Sequence, residues 1–308
     1  MKVLEGPWSD WPEADRGSSV TIGVLDGVHL GHMALLARLD PSMNRTALTF
    51  DPHPIEVLRP GSPPRLITTI EERIRLLTEV GVDCVGVLDL GAIKEQAPEH
   101  FVEGVLVDKL RVGHLVVGED FRFGKDRAGD VSLLESLGER LGFEVDTIAL
   151  VRDDGGPVSS SRIRDLIETG RVTAAGHLLG RWFSLTNEVV AGDKRGREIG
   201  FRTANLEPPG RKVVPGDGVY SCFAEIEGTR HDAAVNVGVR PTFGGGDRLI
   251  EAFLLDFNED IYGRAMTLEF VAHMRPELEF PGVDELVSQI EEDVSATREI
   301  LERARSGM

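Results

Sequence analysis

The sequence is poor in cysteine. Only Cys84 and Cys222 occur among 308 residues. They lie in apolar runs far apart in the chain, which argues against a disulfide framework or a cysteine-built zinc site and suits a reducing cytosol. Positive charge is scarce as well: 34 Lys and Arg stand against 52 Asp and Glu, for a net charge of −18. Nucleic-acid backbones require basic patches, so this balance points away from nucleic acid as a partner. It does not bar small phosphorylated substrates, which need only a local positive site. Long apolar runs are missing too. Nothing approaches the ~18 residues of a membrane span, and the opening MKVLEGPWSDWPEADRG lacks the apolar core of a signal peptide. There is no internal repeat. The expectation is a soluble, cytoplasmic protein with no membrane partner. What the chain does have is 41% hydrophobic and 28% charged residues, enough to bury one large core or two ordinary ones. A homo-oligomer is compatible with this composition, which does not specify one.

The most informative stretch is Thr21–His32, TIGVLDGVHLGH. A β-branched run enters a turn carrying Gly23 and Gly27, and a helix is expected from near Leu30. Glycines let a backbone approach a bulky anion. A helix start offers unpaired N–H groups and a positive dipole end. His29 and His32 can donate to phosphate oxygens from one side of that start. A glycine-rich strand–helix turn is common, but the H-x-G-H spacing on it is more specific and resembles the signature of nucleotidyltransferases.

Taken in order, a short strand is expected at Lys2–Leu4, then strands at Val20–Leu25, Arg45–Phe50, Cys84–Leu88, Leu115–Gly118 and Phe143–Leu150. Helices are expected over Leu30–Leu39, Thr69–Val80 (Ile70, Ile74 and Leu77 inward), Pro98–Leu110 and Leu133–Leu141. Asp51-Pro52-His53-Pro54 reads as a rigid turn that continues neither a ladder nor a helix. Strands alternating with helices imply an α/β, Rossmann-like layer with a parallel sheet and ligands at the strand C-termini. The turns after Ile22, Phe50 and Gly118 then share that edge. Asp120 follows the fourth strand directly. Phe121 and Phe123 offer ring faces or core packing, and Lys125, Asp126 and Arg127 read as a solvated loop. Val158–Arg164 (VSSSRIR) sets Ser159, Ser160 and Ser161 before a helix and arginines in its first turn. Arg there opposes the helix dipole, a conflict that an anion would resolve.

Beyond Arg181 the period changes. Leu185–Val190, Val219–Ile226, Ala233–Val237, Ile250–Phe257 and Met266–Met274 alternate between turns, the pattern of an antiparallel barrel or sandwich. Val283–Ala304 reads as one long terminal helix with Leu286, Ile290, Val294 and Leu301 inward. The domains are therefore drawn as 1–182 and 183–308.

With both halves in view, the chain resembles the bifunctional bacterial FAD synthetases, riboflavin kinase and FMN adenylyltransferase in one polypeptide. In the first half the resemblance rests on TIGVLDGVHLGH, LTFDPHP, VVGEDFRFGKDRAGD and VSSSRIRDLIETGRVTAAGHLLGR. In the second it rests on GDKRGREIGFRTANL, GDGVYSC, NVGVRPTFGG, IEAFLLDFNEDIYGR and MRPELEF. It implies a nucleotidyltransferase domain followed by an antiparallel β-barrel kinase domain with a long terminal helix, ATP as co-substrate, Mg²⁺, and riboflavin, FMN and FAD as substrates and products. By the same resemblance Thr203 and Asn205 are metal ligands and Glu251 the base that accepts the ribityl hydroxyl proton. Gly192, Arg195, Arg197 and Gly200 form a flap over the phosphates. His29 and His32 stabilise charge on the triphosphate in adenylyl transfer. Gly23, Asp26, Gly31, Asp120, Ser159, Ser160, Ser161 and Arg164 complete the nucleotide site. Phe50, Pro52, His53, Phe121, Phe123 and Arg275 face the flavin.

Three positions depart from the usual family motifs. Leu25 stands where Phe is usual and Val24 where Asn is. Arg202 replaces the proline before Thr203, losing a fixed φ and adding a positive charge beside the metal ligands. Two other readings fit the same residues: a chain retaining only the adenylyltransferase, or a flavin- or nucleotide-binding regulator on the same scaffold.

Overall fold

The computed structural model describes residues 1–190, 201–207, 210–239 and 248–306. The chain divides into two compact units, Met1–Ser160 and Ser161–Met308.

In the first unit the strands are β1 (Lys2–Leu4), β2 (Ser18–Ile22), β3 (Asn44–Phe50), β4 (Cys84–Leu88), β5 (Val112–Gly118) and β6 (Glu144–Ile148). Between them run α1 (Leu30–Leu36), α2 (Pro54–Leu58), α3 (Ile70–Glu79), α4 (Leu90–Ile93), α5 (Pro98–Phe101) and α6 (Val131–Leu141). A small hairpin of β7 (Arg152–Asp153) and β8 (Gly156–Pro157) follows. The six strands form one sheet in the order β1-β4-β3-β2-β5-β6, and every pairing is parallel. β2 is central and all five of its residues are buried, as a strand covered on both faces requires. The two faces are distinct clusters. Val20, Ile22, Leu48, Leu115 and Val117 pack on one side, and Ala47, Val85 and Val116 with Leu25 and Val28 on the other. The strand order reverses at β2, so the crevice beyond the ends of β2 and β5 is the topological switch point where open α/β sheets take their ligands.

Local expectations change: the first strand, expected over Val20–Leu25, spans Ser18–Ile22, with Leu25 in the turn beyond it at a φ of 53°. Pro54 does not end structure but opens α2, at the first helical position where its missing N–H costs nothing. The segment expected as one helix over Pro98–Leu110 is α5 followed by a π-helix over Val102–Lys109, with Val102, Val105 and Leu106 buried. The buried residues of α3 are Arg73, Leu76 and Leu77, while Ile70 and Ile74 are only half-buried. A charged residue on the inward face signals a specific partner.

The second unit contains nearly all of α7 (Ser160–Glu168), then α8 (Val172–Leu179). Its strands are β9 (Phe183–Val190), β10 (Thr203–Leu206), β11 (Gly218–Ile226), β12 (Thr229–Val239), β13 (Arg248–Leu254) and β14 (Ala265–Arg275), and the chain ends on α9 (Val283–Ser306). The strands close into a barrel in the order β10-β13-β12-β11-β14-β9, every pair antiparallel. Closure decides between barrel and sandwich and removes the exposed sheet edges. Tyr220, Cys222, Val235, Ile250, Ala252 and Phe270 are fully buried in it. α9 covers the outer face, where Leu301 packs on Phe223 and Val271. Of the residues expected to point inward from α9, Leu301 is buried and Leu286, Ile290 and Val294 are half-buried; Asp293 and Thr297 are the other buried ones. α8 also leans on the barrel, Thr173 Oγ1 donating to the Val271 carbonyl at 2.8 Å. Both cysteines are buried and free.

Candidate active sites

The turn after β2 is held in an unusual conformation. Leu25 and Val28 have φ of 53° and 39°, and Gly27 has 85°. A β-branched residue at positive φ is strained and persists only where its surroundings impose it. The imposing group is Asp26. Its carboxylate is fully buried and accepts from the Ile67 N–H at 3.1 Å, the Thr68 N–H at 2.9 Å and the Thr68 hydroxyl at 3.0 Å. Thr68 Oγ1 in turn accepts from the Gly27 N–H at 3.0 Å. A Cβ at Gly27 would come within 3.0 Å of Ile67, so glycine is required there sterically as well as for φ.

Arg73 completes this lock. It lies 3.7 Å from Asp26 and donates to Thr49 Oγ1 at 3.0 Å and to the Phe50 carbonyl at 3.1 Å. Thr49 Oγ1 donates to the Val24 carbonyl at 2.7 Å. One buried ion pair thus binds the ends of β2 and β3 to the segment before α3. Asp26 was expected to serve the nucleotide; its side chain faces into the protein, and only its backbone is turned elsewhere, the Asp26 carbonyl accepting from Ser160 Oγ at 2.9 Å.

His29 and His32 build the start of α1 between them. The His29 N–H donates to His32 Nδ1 at 3.3 Å, and the His32 N–H donates to His29 Nδ1 at 3.4 Å. The rings stack with centroids 3.6 Å apart and planes 17° from parallel. A capping box of this kind is usually made by a hydroxyl and a carboxylate. Made from two imidazoles, it occupies both Nδ1 atoms as acceptors, so each neutral ring carries its proton on Nε2. Gly31 lies beneath the pair: a Cβ there would be 3.0 Å from His29 Cε1. Gly23 is half-buried at the exit of β2, and its N–H donates to the Leu48 carbonyl at 3.1 Å.

The other residues expected to serve this half differ in exposure. Asp120 is exposed just beyond β5. Phe121 and Phe123 stack at 5.6 Å with planes 16° apart; Phe123 is a buried core residue, and Phe121 packs half-buried against that core. Phe50 is likewise half-buried there. Pro52 is half-buried, and buried His53 caps α2, its Nδ1 accepting from the Ile55 N–H at 3.1 Å. Lys125, Asp126 and Arg127 are exposed, as a solvated loop would be. Ser159 and Ser160 close the first unit; Ser161 and the buried Arg164 lie on α7 in the second.

The barrel carries the second site on its outer face. Asn205 of β10 pairs in register with Glu251 of β13, and Glu251 pairs on its other side with Asn236 of β12. Three polar side chains therefore sit side by side across three strands, on a face where directly opposite Cβ atoms are about 5 Å apart. Asn236 was not singled out from sequence; its motif was, but only strand register reveals that it flanks Glu251. Thr203 lies two residues before Asn205 on the same face. A cavity of about 310 Å³ opens at the start of β10, lined by Arg202, Thr203, Asn205, Asn258, Asp260 and Tyr262 among others. Asn205 is 3% exposed, and its Oδ1 has no hydrogen-bond partner among the described residues.

A hard cation fits this donor set. An orphaned buried amide oxygen beside a threonine hydroxyl suits Mg²⁺, which commonly takes few protein ligands and relies on substrate phosphates. Among the described residues no cluster of three or more His, Cys, Asp or Glu could hold a metal by itself. Arg202 Nη1 donates to Asn258 Oδ1 at 2.8 Å, tying β10 to the loop across the cavity. Arg275, expected near flavin, makes a two-pronged pair with Asp293 of α9 at 2.9 and 2.6 Å. Gly192, Arg195, Arg197 and Gly200 lie outside the described residues.

A switch-point α/β unit with a histidine-capped turn, followed by a six-stranded barrel with a cation-suited oxygen pair, defines a two-module nucleotide-using enzyme class. Comparison with known proteins narrows it. Residues 11–162 match the family model described as FAD synthetase, and residues 179–301 the one described as riboflavin kinase. The bifunctional riboflavin kinase/FMN adenylyltransferase of Pseudomonas fluorescens is 37% identical over 97% of each chain. That of Escherichia coli (strain K12) is 35% identical over 97% of each. A crystal structure of a protein named as a macrolide-efflux protein, from Streptococcus pneumoniae, is 30% identical with a TM-score of 0.89, covering 97% of this chain and 99% of that one. Among the described residues no helix is long and apolar enough to cross a membrane. The chain belongs to the bifunctional riboflavin kinase/FMN adenylyltransferase family.

Proposed function

We propose that this chain makes FAD from riboflavin in two ATP-dependent steps, one on each module, and that the modules divide at 182/183. The observation that carries the reading is the pairing, in one chain, of the histidine-capped turn at the sheet's switch point with the Asn205–Glu251–Asn236 row on the barrel.

On the barrel, the ribityl hydroxyl oxygen of riboflavin attacks the γ-phosphorus of ATP. The bond to the β-phosphate oxygen breaks, ADP leaves, and the hydroxyl proton passes to the Glu251 carboxylate. Thr203 and Asn205 hold Mg²⁺, which when bound neutralises phosphate charge. Arg275 and the Gly192–Gly200 segment, with Arg195 and Arg197, serve flavin and phosphates respectively. On the α/β module, a phosphate oxygen of FMN attacks the α-phosphorus of a second ATP and pyrophosphate leaves. His29 and His32 donate from Nε2 to the charge that grows on the triphosphate. Ser159, Ser160, Ser161 and Arg164 bind the departing phosphates. Asp26 acts indirectly, by fixing the backbone of the turn whose Gly23 and Gly31 admit the nucleotide. Asp120, Phe50, Pro52, His53, Phe121 and Phe123 border the flavin and the reacting groups. The partners on this reading are small molecules, not nucleic acid or membrane, and the setting is the cytoplasm.

Incubation of the protein with riboflavin, ATP and Mg²⁺, followed by chromatography of the flavins, tests this. FAD is the expected product. FAD from supplied FMN without turnover of riboflavin would leave a single adenylyltransferase, and no product would leave a binding protein.

A further inference from the structure

Glu277, in the MRPELEF segment, has no part in the two steps above. It follows β14 and is exposed, yet its carboxylate Oε1 accepts from Asn236 Nδ2 at 3.2 Å. Asn236 is the residue opposite Glu251 on β12. A second feature concerns the same carboxylate. Gly238 shares the Asn236 face of β12, two residues on, and a Cβ built there would fall 2.1 Å from Glu277 Oε1. The absence of a side chain at 238 leaves room for the carboxylate to lie across the strand in this position. The segment is anchored just before it by the Arg275–Asp293 pair.

We propose that Glu277 is a positioning residue for riboflavin phosphorylation: it fixes the Asn236 amide opposite Glu251, so that the Glu251 carboxylate stays open to the ribityl hydroxyl. The inference rests on Glu251 being the base. An Asn side chain has two donors and an acceptor on a freely turning bond. Left unheld beside a carboxylate, it swings to donate to it and competes with the substrate hydroxyl for the carboxylate's lone pairs. Committing one N–H to Glu277 sets the plane of the amide and limits that competition. Such an effect acts on the chemical step and leaves ground-state binding almost untouched, which separates it from a substrate contact.

The test is steady-state riboflavin phosphorylation by the full chain with Mg²⁺ and ATP. Glu277→Ala is expected to lower kcat about tenfold with KM for riboflavin and ATP within about twofold. Glu277→Gln, which keeps the acceptor oxygen, restores most of the rate. Gly238→Ala reproduces the loss by displacing the carboxylate. In an Asn236→Ala background, Glu277→Ala has no further effect, because the two act as one unit. Additive losses in that background, an unchanged kcat in Glu277→Ala, or a rise in KM for riboflavin at constant kcat would each overturn the proposal. Glu251→Gln run alongside separates the two levels. Retained phosphorylation there removes the base assignment itself, whereas an inactive Glu251→Gln with an unaffected Glu277→Ala removes only the role of Glu277. Glu277 is exposed, so its replacement does not disturb the core.

Discussion

The two sites differ in how complete they are without a ligand. At the turn after β2, the buried Asp26 carboxylate is saturated by Ile67, Thr68 and Arg73, and the two histidines satisfy each other's backbone N–H groups. On the barrel, the Asn205 oxygen is buried with no hydrogen-bond partner among the described residues. The first site keeps its shape through internal bonds and presents a fixed set of donors. The second keeps an unmet demand that a cation and its nucleotide can meet. Preorganisation suits a site proposed to stabilise charge in the transition state, and an orphaned oxygen is a donor that a cation supplied with the substrate would satisfy.

The sharpest way to break this comparison is to disable each site in turn. His29→Ala should reduce FMN adenylylation roughly a hundredfold or more while sparing riboflavin phosphorylation. Glu251→Gln should do the reverse, by a factor on the order of a hundred to ten thousand. Both are read by assaying FMN and FAD formation separately. Loss of both activities in one folded single mutant would contradict two independent sites.

The next effect is on stability. Asp26→Ala leaves the Arg73 charge buried without its partner, and should destabilise the first unit by about 3–5 kcal/mol in urea unfolding. Asn205→Ala removes an oxygen that has nothing to lose. It should change unfolding free energy by less than about 1 kcal/mol, yet raise the Mg²⁺ concentration needed for riboflavin phosphorylation by roughly tenfold. A large stability cost at Asn205, or a small one at Asp26, would erase the contrast.

The smallest effect is expected at Arg202. Its bond to Asn258 is exposed, so Arg202→Pro should alter KM for ATP in the phosphorylation step only a few-fold, as befits a solvent-exposed contact of about 0.5–1 kcal/mol. FMN adenylylation should not change. Identical kinetics in both steps would mean that the link across the cavity has no functional weight.

Most of the first unit could be read locally. β4 falls where its apolar run stands, Cys84–Leu88, and the β2 turn announces itself by glycine and histidine at close spacing. β10 could not be read that way. Thr203–Leu206 is four residues long with a polar Asn in its middle, and its strand character comes from pairing with β13 and β9. The Asn205–Glu251–Asn236 row is invisible for the same reason, because register is a property of paired strands and not of any one of them. The task of Asp26 was hidden by distance, since its partners Ile67 and Thr68 lie 41 and 42 residues onward. Arg73 was not singled out from sequence, because periodicity sorts residues by polarity and cannot see that a buried charge has found its counterion.

The Asp26–Arg73 pair also constrains how this sequence can drift. A guanidinium that bonds Thr49 and the Phe50 carbonyl while facing a carboxylate uses the several directions of a planar fork, which a lysine ammonium cannot reproduce. Neither residue can change alone without stranding a charge in the core. Positions 26 and 73 are thus expected to change together rather than singly. Thr49 and Thr68 share in that restriction only as far as their hydroxyls are needed. A map of tolerated double substitutions should therefore trace the outline of this lock from sequence variation alone, without reference to any ligand.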